Sequence, residues 1–135
     1  MTKSLFDTNV DAVEDIREHP HGKYSGKLIQ AAFKTIEEEK EVLSLSFRAT
    51  AAAEDLDLAG VELNRLLYRE IWFTPNSIKR AKDELKKAGV PMETGDFRTN
   101  ITSIEGADVE FTVGVDKYHA NKGDTRPRVQ SFRLV

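Results

Sequence analysis

The chain has 135 residues, of which 39% are hydrophobic and 32% charged, with a formal net charge of −3 and no cysteine. That length suits one domain around a single core, the composition is too apolar for a disordered chain, and the missing cysteines exclude disulfides, thiolate metal sites and thiol catalysis. The acidic total hides an asymmetry, since residues 1–60 carry 7 basic and 12 acidic side chains and residues 61–135 carry 13 and 11, so a polyanion partner stays open wherever the local field is positive.

Residues 1–21 read as an N-terminal acidic arm. The stretch "MTKSLFDTNVDAVEDIREHP" has no continuous apolar signal core, and no apolar run reaches membrane-spanning length, which points to a cytoplasmic protein. Asp7, Asp11, Glu14, Asp15 and Glu18 alternate with Leu5, Phe6, Val10, Val13 and Ile16. The spacing of Val10, Val13 and Ile16 predicts a short helix over 10–18, ended by Pro20 and Gly22. His19 and His21 flank Pro20 and read as surface histidines of a turn.

Strand patterning begins at Lys23. In "KYSGKLIQAAFK", Tyr24, Gly26 and Leu28 share one parity and Ile29, Ala31 and Phe33 the other, a switch that calls for a bulge, with Gly26 as its natural place. "EVLSLSFRAT" alternates cleanly, with Leu43, Leu45, Phe47 and Ala49 on one side. The acidic run Glu37–Glu41 between them reads as a solvated hairpin tip. Val61, Leu63, Leu67 and Ile71 predict a third strand, with Arg65 and Arg69 on the same parity and free to pair with nearby acids.

"TPNSIKRAKDELKKAG" is the clearest helix: Thr74 as cap, Pro75 in the first turn, Gly89 after the end, and a stripe of Ile78, Ala81, Leu85 and Ala88. "VPMETGDFRTNITSIEGA" reads as loop. "DVEFTVGVDKY" is a fourth strand with Val109, Phe111, Val113 and Val115 on one face. "HANKGDTRP" is a polar turn, and "RVQSFRLV" a last strand with Gln130, Phe132 and Leu134 sharing a face. The expected fold is mostly β: an oligonucleotide-binding (OB-fold) five-stranded barrel over residues 22–135, with one α-helix between strands 3 and 4. A generic α+β sandwich is the structural alternative.

No phosphate loop, nucleophile elbow or zinc-protease motif occurs, the histidines lack metal-ligand spacing, and no enzyme or cofactor is implied. Aromatics and cations instead interleave along the strands. That combination suits single-stranded nucleic acid, because flat side chains stack on unpaired bases while Lys and Arg follow the phosphates. The candidate stacking residues are Tyr24, Tyr68, Trp72 and Tyr118. The candidate phosphate contacts are Lys23, Lys27, Arg48, Arg69, Lys117, Lys122, Arg126 and Arg128. The helix cations, from Lys79 to Lys87, read as an ordinary solvated face.

With "GKYSGKLIQAAFK" after Phe6-Asp7, "LSLSF", and "IEGADVEFTV" introducing the fourth strand, the chain resembles the small single-stranded-DNA-binding proteins of bacteriophages, which are built on the OB-fold. The resemblance implies a non-enzymatic binder that coats and protects single strands during phage replication or recombination in the host cytoplasm. Its expected partners are single-stranded DNA, with RNA left open, phage or host replication proteins, and further copies of itself, but no membrane. Many such binders end in an acidic tail; here the acids sit at 7–18 and 37–41 and the end reads as a strand. A module that docks a protein partner through its acidic arm is the alternative from another class.

Overall fold

A computed structural model describes residues 4–13 and 15–135. Five antiparallel strands form one sheet: β1 (Gly22–Glu37), β2 (Lys40–Ala52), β3 (Leu66–Phe73), β4 (Asp108–Val115) and β5 (Pro127–Leu134), in the spatial order β3-β2-β1-β4-β5. Residues from all five strands meet in one core. The sheet is open: β3 and β5 are its two edges and exchange no ladder hydrogen bonds.

The long first strand bends as its parity switch requires, but at a different residue. Leu28 faces Phe47 and Gln30 faces Ser46, so Ile29 is the extra residue that turns Ala31 and Phe33 to the core side. The irregularity beside Gly26 falls on β2, which carries the extra Thr50. Gly26 is required for another reason: a Cβ there would lie 2.0 Å from the Arg48 carbonyl oxygen, an approach only glycine permits. On β2, Leu43, Leu45, Phe47 and Ala49 are buried, as their alternation predicts.

Strand β3 starts at Leu66, five residues after the first expected position. Val61 closes a turn onto Leu58, Arg65 closes another onto Glu62, and Val61 forms an isolated parallel bridge with Arg17 of the arm. Two helices, not one, link β3 to β4. The first, α1 (Ile78–Lys87), buries Ala81 and Leu85, and Gly89 follows with φ +94°. Ser77 takes the N-cap position, while the Thr74 hydroxyl accepts its N–H at 3.1 Å, so the threonine braces the turn before the helix. Ile78 leaves the stripe and is partly exposed.

The second, α2 (Phe97–Thr102), stands where a loop is expected. Asp96 caps it by accepting the Thr99 N–H at 3.0 Å, and Ile101 and Ile104 reach the core. Strand β4 ends at Val115. Asp116 then caps a single helical turn, α3 (Lys117–Ala120), so Lys117 and Tyr118 belong to the β4–β5 connection and not to a strand. In β5 a bulge at Gln130 shifts the inward parity, and Val129 and Phe132 are the buried pair.

Within the arm, Leu5–Asp7 and Val10–Ala12 are two 3₁₀ turns with no buried residue. The predicted helix over 10–18 is thus replaced by a short turn in its described part, and Glu14 lies outside the described residues. The end of the arm packs on the sheet. His19 is 4% exposed, its ring meets Tyr24 edge-on at 5.7 Å, and one ring nitrogen lies 3.4 Å from the Leu63 carbonyl. It is a core histidine and not the surface residue expected. Among the described residues no helix is long and apolar enough to cross a membrane.

Candidate nucleic-acid interface

Strand alternation decides which side chains leave the core. On β2 and β3 the inward pairs are Leu43 with Ile71 and Phe47 with Leu67; the outward pairs are Val42 with Trp72, Ser44 with Glu70 and Ser46 with Tyr68. The two serines keep the β2 part of this outer face low, so the β3 rings stand above it. Tyr68 and Trp72 are 44% and 41% exposed. Four residues apart on one strand, they stand about 13 Å from each other at ~3.3 Å per residue.

Across from them lies the β4–β5 connection. Tyr118, 61% exposed, comes from α3, and the Lys122 ammonium stands 4.4 Å from the centre of its ring. Tyr68, Trp72, Tyr118, His119 and Arg128 line one cleft of about 380 Å³. A second cleft, of about 360 Å³, shares Tyr68, Glu70 and Arg128 with it and extends to Arg65, Arg126 and Glu18. The two make one groove along the outer face of β3. At its far end the Lys40 ammonium of the β1–β2 hairpin lies 5.4 Å from the Trp72 ring centre.

The groove cations are tethered. Asp124 accepts from Arg126 at 2.8 and 3.0 Å and from Arg128 at 3.0 Å, and it also takes the Arg126 backbone N–H at 3.1 Å. These bonds, those of Arg126 first, hold its carboxyl far below the usual range. Arg128 keeps a buried Nε with no hydrogen-bond partner among the described residues. Asp116 is held below its ordinary value chiefly by its bond to His119 and also by the Tyr118 N–H. Arg65 lies 3.9 Å from Glu18.

The expected site residues therefore divide. Tyr68, Trp72, Tyr118, Lys122, Arg126 and Arg128 are brought together, and Lys117 is exposed on the same connection. Arg48 lies at the end of the same outer face, across from Leu66. Lys23 and Lys27 lie elsewhere, on the outer side of β1 against β4, with Lys27 paired to Asp108 at 3.2 Å.

One expected contact is overturned and a second is already engaged elsewhere. Tyr24 is fully buried, stacked on Phe111 at 5.8 Å, and its hydroxyl donates to the Pro20 carbonyl at 2.6 Å, so no base can reach it. Arg69 borders the first cleft, but its parity on β3 is opposite to that of Tyr68 and Trp72 and its guanidinium is committed to Glu84 of α1 at 2.5 and 3.2 Å. It ties helix to sheet. Lys40 and Glu70 were missed by the sequence reading; Lys40 has no local signal, whereas the parity shared with Tyr68 and Trp72 marks Glu70.

A separate apolar groove of about 380 Å³ lies between the β1–β2 hairpin and the two helices, walled by Phe33, Leu43, Phe73, Ile78 and Phe97, with the Arg98 guanidinium over the Phe33 ring at 4.7 Å. Among the described residues no group of three or more His, Asp or Glu side chains converges as a metal site. Comparison with protein-family models and with curated proteins finds no match for this chain.

Proposed function

We propose that this protein binds single-stranded DNA, without catalysing a reaction on it, in the groove between β3 and the β4–β5 connection. The observation that carries the reading is the convergence of three exposed rings, Tyr68, Trp72 and Tyr118, with Arg128 on one cleft. Exposed rings above a low serine floor suit unpaired bases, which stack on them, while the surrounding cations suit phosphates. A duplex keeps its bases stacked inside and leaves such rings unused.

The strand order also supports an OB-fold barrel of the kind found in small phage single-strand binders. The order β3-β2-β1-β4-β5 would close into that barrel if its two edges, β3 and β5, paired. In that fold the face of strands 2 and 3, with the β1–β2 and β4–β5 loops, forms the binding cleft. Lys40 is the first residue of β2, at the edge of the first loop, and Tyr118 comes from the second. In this reading the protein coats and protects single strands during phage DNA replication or recombination in the host cytoplasm.

The test is a gel-shift series with mixed-sequence single-stranded DNA, the matching duplex and RNA at two salt concentrations. Single strands should be preferred over duplex, with a log–log salt slope of about −0.7 per phosphate neutralised. Fluorescence of Trp72, the chain's one tryptophan, should fall on titration. Equal affinity for duplex, or binding indifferent to salt, would remove the proposal.

The exposed Leu5, Phe6 and Val10 of the arm favour a second reading, a module that docks a phage or host protein. That reading expects a complex that survives nuclease treatment and no affinity for single strands.

A further inference from the structure

Three acids line the two joined clefts of the groove: Glu18, Glu70 and Asp116. Among the described residues, Glu18 lies beside Arg65 and Asp116 is bonded to His119, whereas Glu70 has neither a hydrogen bond nor an ion pair. Glu70 nevertheless holds the central position. It stands between Tyr68 and Trp72 on the outer face of β3, about 6–7 Å along the strand from each, with the short Ser44 opposite it on β2.

An unpaired carboxylate on the floor of a groove that takes phosphates works against the phosphates. It is suited to the other part of a nucleotide. A base stacked on Tyr68 or Trp72 turns an edge toward its neighbour on the strand, and base edges differ in what they offer. Cytosine N4 and adenine N6 are amino donors, while thymine presents O4, an acceptor, and a methyl group. The thymine N3–H lies between two carbonyl oxygens that a carboxylate repels.

We infer that Glu70 is a base-reading residue, a carboxylate between two stacking rings that accepts hydrogen bonds from exocyclic amino groups and so favours cytosine and adenine over thymine. The inference rests on the single-strand reading above and adds a base preference to it. Phosphate and stacking contacts are indifferent to sequence, so a preference that depends on Glu70 separates this role from general electrostatics.

The experiment is fluorescence anisotropy with equal-length oligo-dC and oligo-dT, using the full chain and its Glu70→Gln and Glu70→Ala variants. Because Glu70 has no partner to lose among the described residues, both variants should keep the wild-type circular dichroism spectrum. The ratio of dC to dT affinity should be higher in the wild type than in both variants by roughly two- to tenfold, the range of one net hydrogen bond. The change should come mainly from tighter oligo-dT binding by the variants.

A ratio left unchanged by both substitutions overturns the inference and leaves single-strand binding standing. Loss of binding to both strands in the variants makes Glu70 a structural residue and overturns it too. A wild type that binds neither strand removes the single-strand reading, and this inference with it.

Discussion

The outside of the sheet carries cations on two faces, and they are built differently. On the β1–β4–β5 side Lys27 pairs with Asp108 at 3.2 Å and Arg133 with Glu110 at 2.6 Å, while the Lys23 ammonium has no ion pair among the described residues. Among the described residues no large aromatic is exposed there. On the β2–β3 side Tyr68 and Trp72 stand clear of the sheet, and the cations arrive from the hairpin and the β4–β5 connection. A phosphate at Lys27 or Arg133 must displace an acid, as one at Arg126 or Arg128 must, but on the first face it finds no ring for its base. Exposed rings, more than the number of cations, set the second face apart.

The largest effects should break this contrast directly. Replacing Trp72 or Tyr68 with Ala should weaken binding of mixed-sequence single strands by ~1–3 kcal/mol per lost stacking platform. The double variant Lys23→Ala/Lys27→Ala should leave it nearly unchanged. Anisotropy titrations at one fixed salt concentration compare the two. Equal losses from both faces would erase the distinction between them.

A smaller effect should appear at Asp124, which holds Arg126 and Arg128. Asp124→Asn keeps an oxygen for the Arg126 backbone N–H, and with it the local turn, while removing the charge. Single strands should then bind more tightly. The log–log salt slope should steepen by about 0.7 for each guanidinium released to a phosphate. If binding weakens instead, Asp124 positions the arginines for the strand and does not compete with it.

Much of this layout is written in local patterning. The five strands, α1 with Gly89 behind it, and the inward face of β2 follow from alternation, helical spacing and end signals, which are local properties. The bulge of β1 is expected from its parity switch but falls at Ile29 instead of Gly26, and the one at Gln130 is not expected at all, because an extra residue is a property of a strand pair and changes parity only relative to its partner. The short α2 and α3 each start at an aspartate cap, Asp96 and Asp116, too near Gly95 or a strand end for their few residues to show a period. For the candidate site, charge and aromatic type were legible but facing was not. Tyr24 and Tyr68 look alike in sequence, and only the sheet register buries one ring and exposes the other.

The smallest predicted effect concerns the point where the groove meets the core. Glu18 lines the groove and the next residue, His19, is buried against Tyr24. Burial pushes the His19 pKa below its ordinary 6.5; the Leu63 carbonyl and Glu18 oppose that shift, and Arg65 adds to it. Below pH 6.5 the unfolded chain therefore takes up a proton that the folded protein resists, so stability falls with pH from there until the folded pKa is passed. The depressed carboxyls of Asp96, Asp116 and Asp124 act lower, since their contribution is lost only as the pH drops below their ordinary value of 3.8. Thermal melts from about pH 7 to about pH 5 should show a decline in Tm that His19→Phe reduces, because a phenyl ring keeps the edge contact with Tyr24 but cannot be protonated. An equal decline in both proteins would move the proton uptake away from His19 and leave the groove's own ionisable groups to account for it.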